Sequence, residues 1–346
     1  VPGWHAGAFT PLSDSGATVE TRRHERADEA QHTTDPGTAL PGRRRRSRKW
    51  GRGVATLNQW VAGARPRTLP SSIVPVAVGT GVAVGVGAPM WWKALLAMVV
   101  ALALQVGVNY ANDYSDGIRG TDTEERVGPV RLTAARLAPP KQVFWAAWAC
   151  FAVAGVAGLV LVATSSWWLL LIGALAIVAA WYYTGGKNPY GYRGLGELSV
   201  FVFFGLVAVV GTVFVQLDYV PWQAWVVAIP VGLLSCSVLV INNLRDIPTD
   251  SETGKITLAV RLGDIWTRRL YLACVAGAFV IALAAFPASW WVALVLLAVP
   301  LAVGPVRRVT GGQTGRDLIL GLGETGKLQL AFGILLTAGL ALGALG

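Results

Sequence analysis

The chain has 346 residues, of which 54% are hydrophobic and 14% charged, with positive mean hydropathy and a formal net charge of +10. A soluble domain carries about a quarter charged residues, so this composition excludes an ordinary water-soluble protein and leaves an integral membrane protein. The positive charge does not indicate nucleic acid. Ten of the 29 Lys and Arg lie in residues 1–60, and most of the rest fall in loops on one side of the predicted spans. That is a topological bias of membrane proteins, and it suits contact with anionic lipid headgroups.

Residues 1–55 are polar, rich in Gly, Pro, Ser, Thr and Arg, and contain the run "GRRRRSRKWGR". They lack the apolar segment of a secretory signal and read as a disordered basic tail. The chain begins with Val, so a natural start further in, near Val54, stands beside a functional tail as an expectation. Residues 56–346 read as one transmembrane domain.

Nine apolar spans are predicted, near 69–88, 92–112, 142–163, 167–184, 198–216, 222–243, 269–287, 289–306 and 327–345. The loops between them alternate long and short. The long ones, after spans two, four, six and eight, hold nearly all the remaining basic residues, whereas the short ones hold only Lys93. This asymmetry places the N-terminus and the long loops in the cytoplasm and the C-terminus outside. Trp91-Trp92, Trp167-Trp168, Tyr219 with Trp222, and Trp290-Trp291 mark the short-loop face. The expected fold is an all-α, nine-helix bundle in a bacterial cell membrane, with its chemistry on the cytoplasmic side.

His5, His24 and His32 all lie in the tail. A metal in the membrane domain must then be held by oxygen, which favours a hard ion such as Mg²⁺. Cys150, Cys236 and Cys274 fall within apolar spans without a CxxC spacing and read as reduced core residues.

Two acidic clusters follow apolar runs. "NYANDYSDGIRGTDTEERVGP" closes span two, and "NNLRDIPTDSETGK" closes span six. Asn109, Asn112, Asp113 and Asp116 recur at intervals of three and four, as do Asn242, Asn243, Asp246 and Asp250, so each set shares a helix face. Asp122 lies beyond two glycines, and a loop must bring it back. Carboxylates on one face repel each other, and at a helix C-terminus they oppose the macrodipole. Solvated loop acids would not need such crowding. Two carboxylates at about 4 Å repel by about 4 kcal/mol at an effective dielectric of 20, a cost that divalent cations remove. Mg²⁺ takes few carboxylates and shares its shell with water and phosphate, so the clusters read as two half-sites for a diphosphate. Arg119, Lys187, Arg193, Arg245 and Lys255 are the basic residues nearby.

Four segments, "ARPRTLPSSIVPVAVGT" (64–80), "NYANDYSDGIRGTDTEERVGPVR" (109–131), "YTGGKNPYGYRGLGELSVFVFFG" (183–205) and "INNLRDIPTDSETGKITLAVRLG" (241–263), resemble UbiA-type intramembrane prenyltransferases. Within that family they are most similar to the branch whose acceptor is 1,4-dihydroxy-2-naphthoate. The resemblance implies nine helices and a polyprenyl diphosphate donor. It also implies Mg²⁺ held by Asp113 and Asp116 and by Asp246 and Asp250, with Asp122 as a further ligand off the commoner NDxxDxxxD spacing. Asn109, Asn112, Arg119, Lys187, Asn243 and Lys255 would bind the diphosphate. Arg193 would meet the acceptor's carboxylate, and Tyr183 and Tyr190 would face the allylic cation; Lys187 is an alternative for the carboxylate and Tyr182 for the cation. Arg65 and Arg67 are candidates for the acceptor or for fixing topology, and Glu197 for a structural role. Another aromatic acceptor within the family, or a secondary transporter, remains the alternative reading.

Overall fold

The computed structural model describes residues 55–120 and 131–345, and among them every regular element is helical. Residues 1–54 and Asp122 lie outside the described residues. Helix α1 (Leu57–Gly63) opens with a capping box, in which the Thr56 side chain accepts from the Gln59 N–H and the Gln59 side chain accepts from the Thr56 N–H. Arg65 then adopts a left-handed conformation (φ 56°) and a 3-10 turn, Pro66–Thr68, follows. This turn bends the chain by 54° into α2 (Pro70–Gly85).

The body continues through α3 (Trp91–Arg119), α4 (Pro140–Thr164) and α5 (Trp168–Tyr182). Helices α6 (Gly196–Val200) and α7 (Ala208–Leu217) join across a π-helical stretch into one apolar rod. Then come α8 (Trp222–Glu252), α9 (Leu258–Ala282), α10 (Val299–Thr310), which continues the 3-10 stretch Trp290–Ala298, and α11 (Gly315–Leu342). Among the described residues seven helices are long and apolar enough to cross a membrane, or eight if the bent pair counts as one span. The expected span that falls short is the fourth, α5, whose 15 residues reach only ~23 Å against a hydrocarbon core of ~30 Å.

Helices α3 and α8 are the long ones, with 29 and 31 residues, or ~44 and ~46 Å at 1.5 Å per residue. Each therefore outruns the hydrocarbon core, and its last three turns carry one acidic cluster. The predicted span ends at 112 and 243 mark where apolar composition stops, whereas the helices run on to Arg119 and Glu252.

Small residues allow close helix contact. A Cβ on Gly205 would come within 2.7 Å of the Gly232 Cα, so α8 presses directly on the π-helical stretch. Three apolar cores result, the smallest joining Val76, Ala97, Leu161 and Val215 of α2, α3, α4 and α7. Of the two larger, one joins α2 and α7 to α8, α9, α10 and α11; the other joins α3 and α4 to Ala55, Leu132 and Ala138. A cavity of about 1060 Å³ is lined by residues of α2, α3, α5, α7 and α8. On the face opposite the acidic clusters, Lys93 is buried, donates to the Thr164 carbonyl and Ser165 Oγ, and lies 3.9 Å from Asp218. The expected lone cation of the short loops thus ties α3 to α4.

Candidate active site

The acidic clusters emerge from buried helix ends. Asp113, Asp116, Asp246 and Asp250 are each less than a tenth exposed. Asp113 accepts the N–H of Leu132 at 2.6 Å and that of Thr133 at 2.8 Å. The segment at 131–133 comes this close because residue 117 is glycine: a Cβ there would stand 2.4 Å from the Thr133 Cγ2. Asp116 takes the phenol of Tyr192 on Oδ1 and has the Arg131 guanidinium 3.7 Å from Oδ2. Asp246 receives a two-pronged contact from Arg245, with both N–O distances 2.7 Å. Lys255 stands 3.4 Å from Asp250.

The three asparagines assigned to the diphosphate have different free ends. Asn112 accepts the Thr184 hydroxyl at 2.6 Å on Oδ1, so its amide N–H groups face outward as donors. Asn243 gives its amide nitrogen to Glu197 at 2.9 Å, which leaves its oxygen to the site. Asn109 spends its nitrogen on the Ala64 carbonyl and Thr68, at 2.8 and 3.2 Å, and so pins the bend before α2. Glu197, expected to be structural, is buried and carries one oxygen without a hydrogen-bond partner.

Other expectations separate here. Arg119 donates to the Thr184 and Gly186 carbonyls and so anchors the loop between α5 and α6. Lys187 and Arg193 are exposed on that loop; they do not line the cavity, nor do the four aspartates, Asn243, Arg119 or Lys255, whereas Arg65, Arg67, Arg131 and Arg245 do. Tyr183 and Tyr190 do line it, edge to face at 5.6 Å. Burial pushes the Tyr190 phenol up from its usual range.

Two residues escaped sequence reasoning. Arg131 lies in no acidic motif, and no spacing rule marks it. Tyr192 reads as one more aromatic in "NPYGYRGLGE", yet its ring carries Arg119 on one contact and Lys255 on another. Arg245 was visible only as a nearby cation. In the structure its Nη1 is buried without a hydrogen-bond partner, and the residue lines the cavity.

The arrangement offers only oxygen ligands. Among the described residues no three His, Cys, Asp or Glu stand close enough to hold a metal as they lie, and each of the four aspartates has a polar partner. The donor set nevertheless fits Mg²⁺ in kind: among the described residues it is four carboxylates and the Asn243 oxygen, all hard oxygen donors. Charge points the same way. Five carboxylates, including Glu197, meet six cations: Arg65, Arg67, Arg119, Arg131, Arg245 and Lys255. One positive charge in excess does not neutralise a diphosphate of about three negative charges, so the site takes it in with added positive charge.

Residues 72–317 match the UbiA prenyltransferase family. The 1,4-dihydroxy-2-naphthoate octaprenyltransferase of Mycobacterium tuberculosis is 54% identical over 84% of this chain and 100% of its own length. The protein of the same name from Escherichia coli is 38% identical over 74% and 86%. A solved UbiA homolog from Aeropyrum pernix K1 is 18% identical, with TM-score 0.59, over 78% of this chain and 96% of that one. Another, from Archaeoglobus fulgidus and bound to DMAPP and Mg²⁺, is 13% identical, with TM-score 0.56, over 81% and 99%. At those identities the likeness to the two solved structures is one of fold alone. Family match, sequence identity and paired acidic helix ends agree: the chain belongs to the UbiA prenyltransferase family.

Proposed function

We propose that this enzyme transfers a polyprenyl group from its diphosphate to 1,4-dihydroxy-2-naphthoate with loss of CO₂ and diphosphate, giving the hydroquinone form of demethylmenaquinone. The observation that carries the reading is the lining of the cavity. Asn109, Asn112, Arg131 and Arg245 line it together with many Val, Leu, Phe and Ala residues. A charged head on a long apolar tail matches that composition. The choice of acceptor and of a polyprenyl donor is supported by the names of relatives 38–54% identical over most of the chain. In this reading the nine helical segments form a multi-pass bundle in a bacterial cell membrane, and the basic loops and the site face the cytoplasm.

Asp113 and Asp116, with Asp246 and Asp250, would hold Mg²⁺, and Asn243 would add an oxygen. When bound, the ion supplies Lewis-acid stabilisation of charge on the leaving diphosphate. The chain's own residues do the rest. Arg245 Nη1 and the Asn112 amide donate to diphosphate oxygens, in a site where preorganised donors count more than in water. The allylic C–O bond breaks with its electron pair going to the diphosphate. Tyr183 and Tyr190 offer neutral ring faces to the resulting cation, and the apolar wall keeps water from it. The naphthoate ring supplies the pair for the new C–C bond. Departure of its carboxylate as CO₂ returns a pair to the ring, so no side chain must take a proton there. Arg65 and Arg67 line the cavity and are suited to the acceptor's carboxylate, with Arg193 on the loop above.

The test is product analysis with purified protein, an octaprenyl diphosphate and the naphthoate, with Mg²⁺ or with chelator. A metal-dependent, decarboxylated prenyl naphthol is the expected product. Diphosphate release only with a different aromatic acceptor would keep the reaction class and discard the substrate.

A further inference from the structure

We propose that Tyr192 is a positioning residue that joins the two aspartate clusters into one diphosphate site, an inference that rests on the function proposed above. Tyr192 sits in the 3-10 turn Tyr190–Arg193, on the loop between α5 and α6. Its hydroxyl donates to Asp116 Oδ1, in the first cluster. Its ring has the Arg119 guanidinium at 5.4 Å and the Lys255 ammonium at 5.3 Å. Lys255 in turn pairs with Asp250, in the second cluster, at 3.4 Å. A single side chain thus connects an aspartate of α3 to an aspartate of α8.

The chemistry of those contacts matters. A phenol is a neutral donor, so it orients the Asp116 oxygen without cancelling its charge, as a cation at that oxygen would. The ring meanwhile holds two cations by their attraction to a π face. The loop that carries the residue is itself fixed. Arg119 donates to the Thr184 and Gly186 carbonyls, the Thr184 hydroxyl donates to Asn112, and the Gly191 N–H donates to the Tyr183 carbonyl at 3.0 Å. Tyr192 is therefore held in register with the first cluster by contacts of the loop residues that precede it. A packing role would need only the ring; the hydroxyl on a carboxylate is the feature that packing leaves unexplained.

Outer-shell partners that orient a ligating carboxylate are worth about 10–100-fold in metal affinity. The experiment measures Mn²⁺ binding to the full chain by the loss of the free-ion electron paramagnetic resonance signal, without donor or acceptor. Tyr192→Phe keeps the ring and removes the hydroxyl. It should weaken Mn²⁺ by about 10-fold or more, with unfolding temperature unchanged and kcat at saturating metal close to the parent. Tyr192→Ala should add a raised KM for the donor, because Arg119 and Lys255 lose their ring. In an Asp116→Asn background, Tyr192→Phe should cost nothing further. Unchanged Mn²⁺ binding in Tyr192→Phe, a loss that adds in full to that of Asp116→Asn, or no saturable Mn²⁺ binding by the parent would each overturn the inference. The titration needs no acceptor, so a failed product assay would reject the proposed reaction without deciding the role of Tyr192.

Discussion

Replacing Arg245 with Met separates the stability role of its ion pair from its role in turnover. The guanidinium and the Asp246 carboxylate are 2% and 5% exposed and meet at two distances of 2.7 Å. Removing one partner takes from the other buried charge its contact at two 2.7 Å distances, and breaking a buried pair in this way costs about 3–5 kcal/mol. Replacing both with apolar residues of similar volume is often neutral or stabilising. Arg245→Met should therefore lower the aggregation midpoint of the detergent-solubilised protein strongly. The Arg245→Met, Asp246→Leu double variant should recover most of that loss. Turnover divides the variants differently: both should be inactive, because Asp246 is an assigned ligand and Arg245 Nη1 an assigned donor. Thermal aggregation and diphosphate release, measured on the same preparations, read the two effects. A single variant as stable as the parent would refute the buried pair, and an active double variant would refute the site.

Gly117→Ala places a methyl 2.4 Å from Thr133 Cγ2; overpacking of this kind costs about 1–3 kcal/mol. The segment should lift from Asp113, and protease sensitivity near residue 133 should rise together with a loss of turnover. Arg119→Ala frees the Thr184 and Gly186 carbonyls and should loosen the loop, seen as faster amide exchange at 184–186, with Arg119→Lys unable to restore the two-carbonyl contact. Lys93→Met removes the tie to Thr164 and Ser165 at the opposite end of α3. It should cost about 1–3 kcal/mol of stability and leave metal dependence unchanged, as read by melting and by Mg²⁺ titration.

Much of the fold was legible because lipid imposes a simple rule. Backbone polar groups must be satisfied within each segment, so apolar length predicts helices, and eight of the nine expected spans have counterparts that pass on length, one of them as a bent pair. One feature escaped for a physical reason. Helix α5 is short, and nothing charged marks its end, because the residues that follow, "YTGG", are uncharged. The extra turns of α3 and α8 lie beyond the apolar spans but were legible in the three- and four-residue spacing of the acidic clusters.

The site was legible in its carboxylates and less so in everything else. Periodicity put Asp113 and Asp116 on one face, and Asp246 and Asp250 on another, because i, i+3 and i, i+4 spacing is local. It could not say that Asn109 is consumed by Ala64 and Thr68, or that Arg119 holds a loop, since those partners lie 41 to 67 residues away in sequence. Lys187 and Arg193 were favoured for their charge and motif, yet side-chain direction on a loop has no period to read. Tyr192 was missed for the same reason: its two clusters meet only in three dimensions. Asp122 lies outside the described residues.

The most direct test of the central claim follows the carboxyl carbon. Octaprenyl diphosphate and a carboxyl-labelled naphthoate are given to the parent protein and to Asp113→Ala and Asp246→Ala, with Mg²⁺ or chelator. The account predicts labelled CO₂ and diphosphate released in equal amounts by the parent with Mg²⁺, and neither product in the variants or with chelator. Diphosphate released without labelled CO₂, or undiminished turnover in either variant, would contradict it.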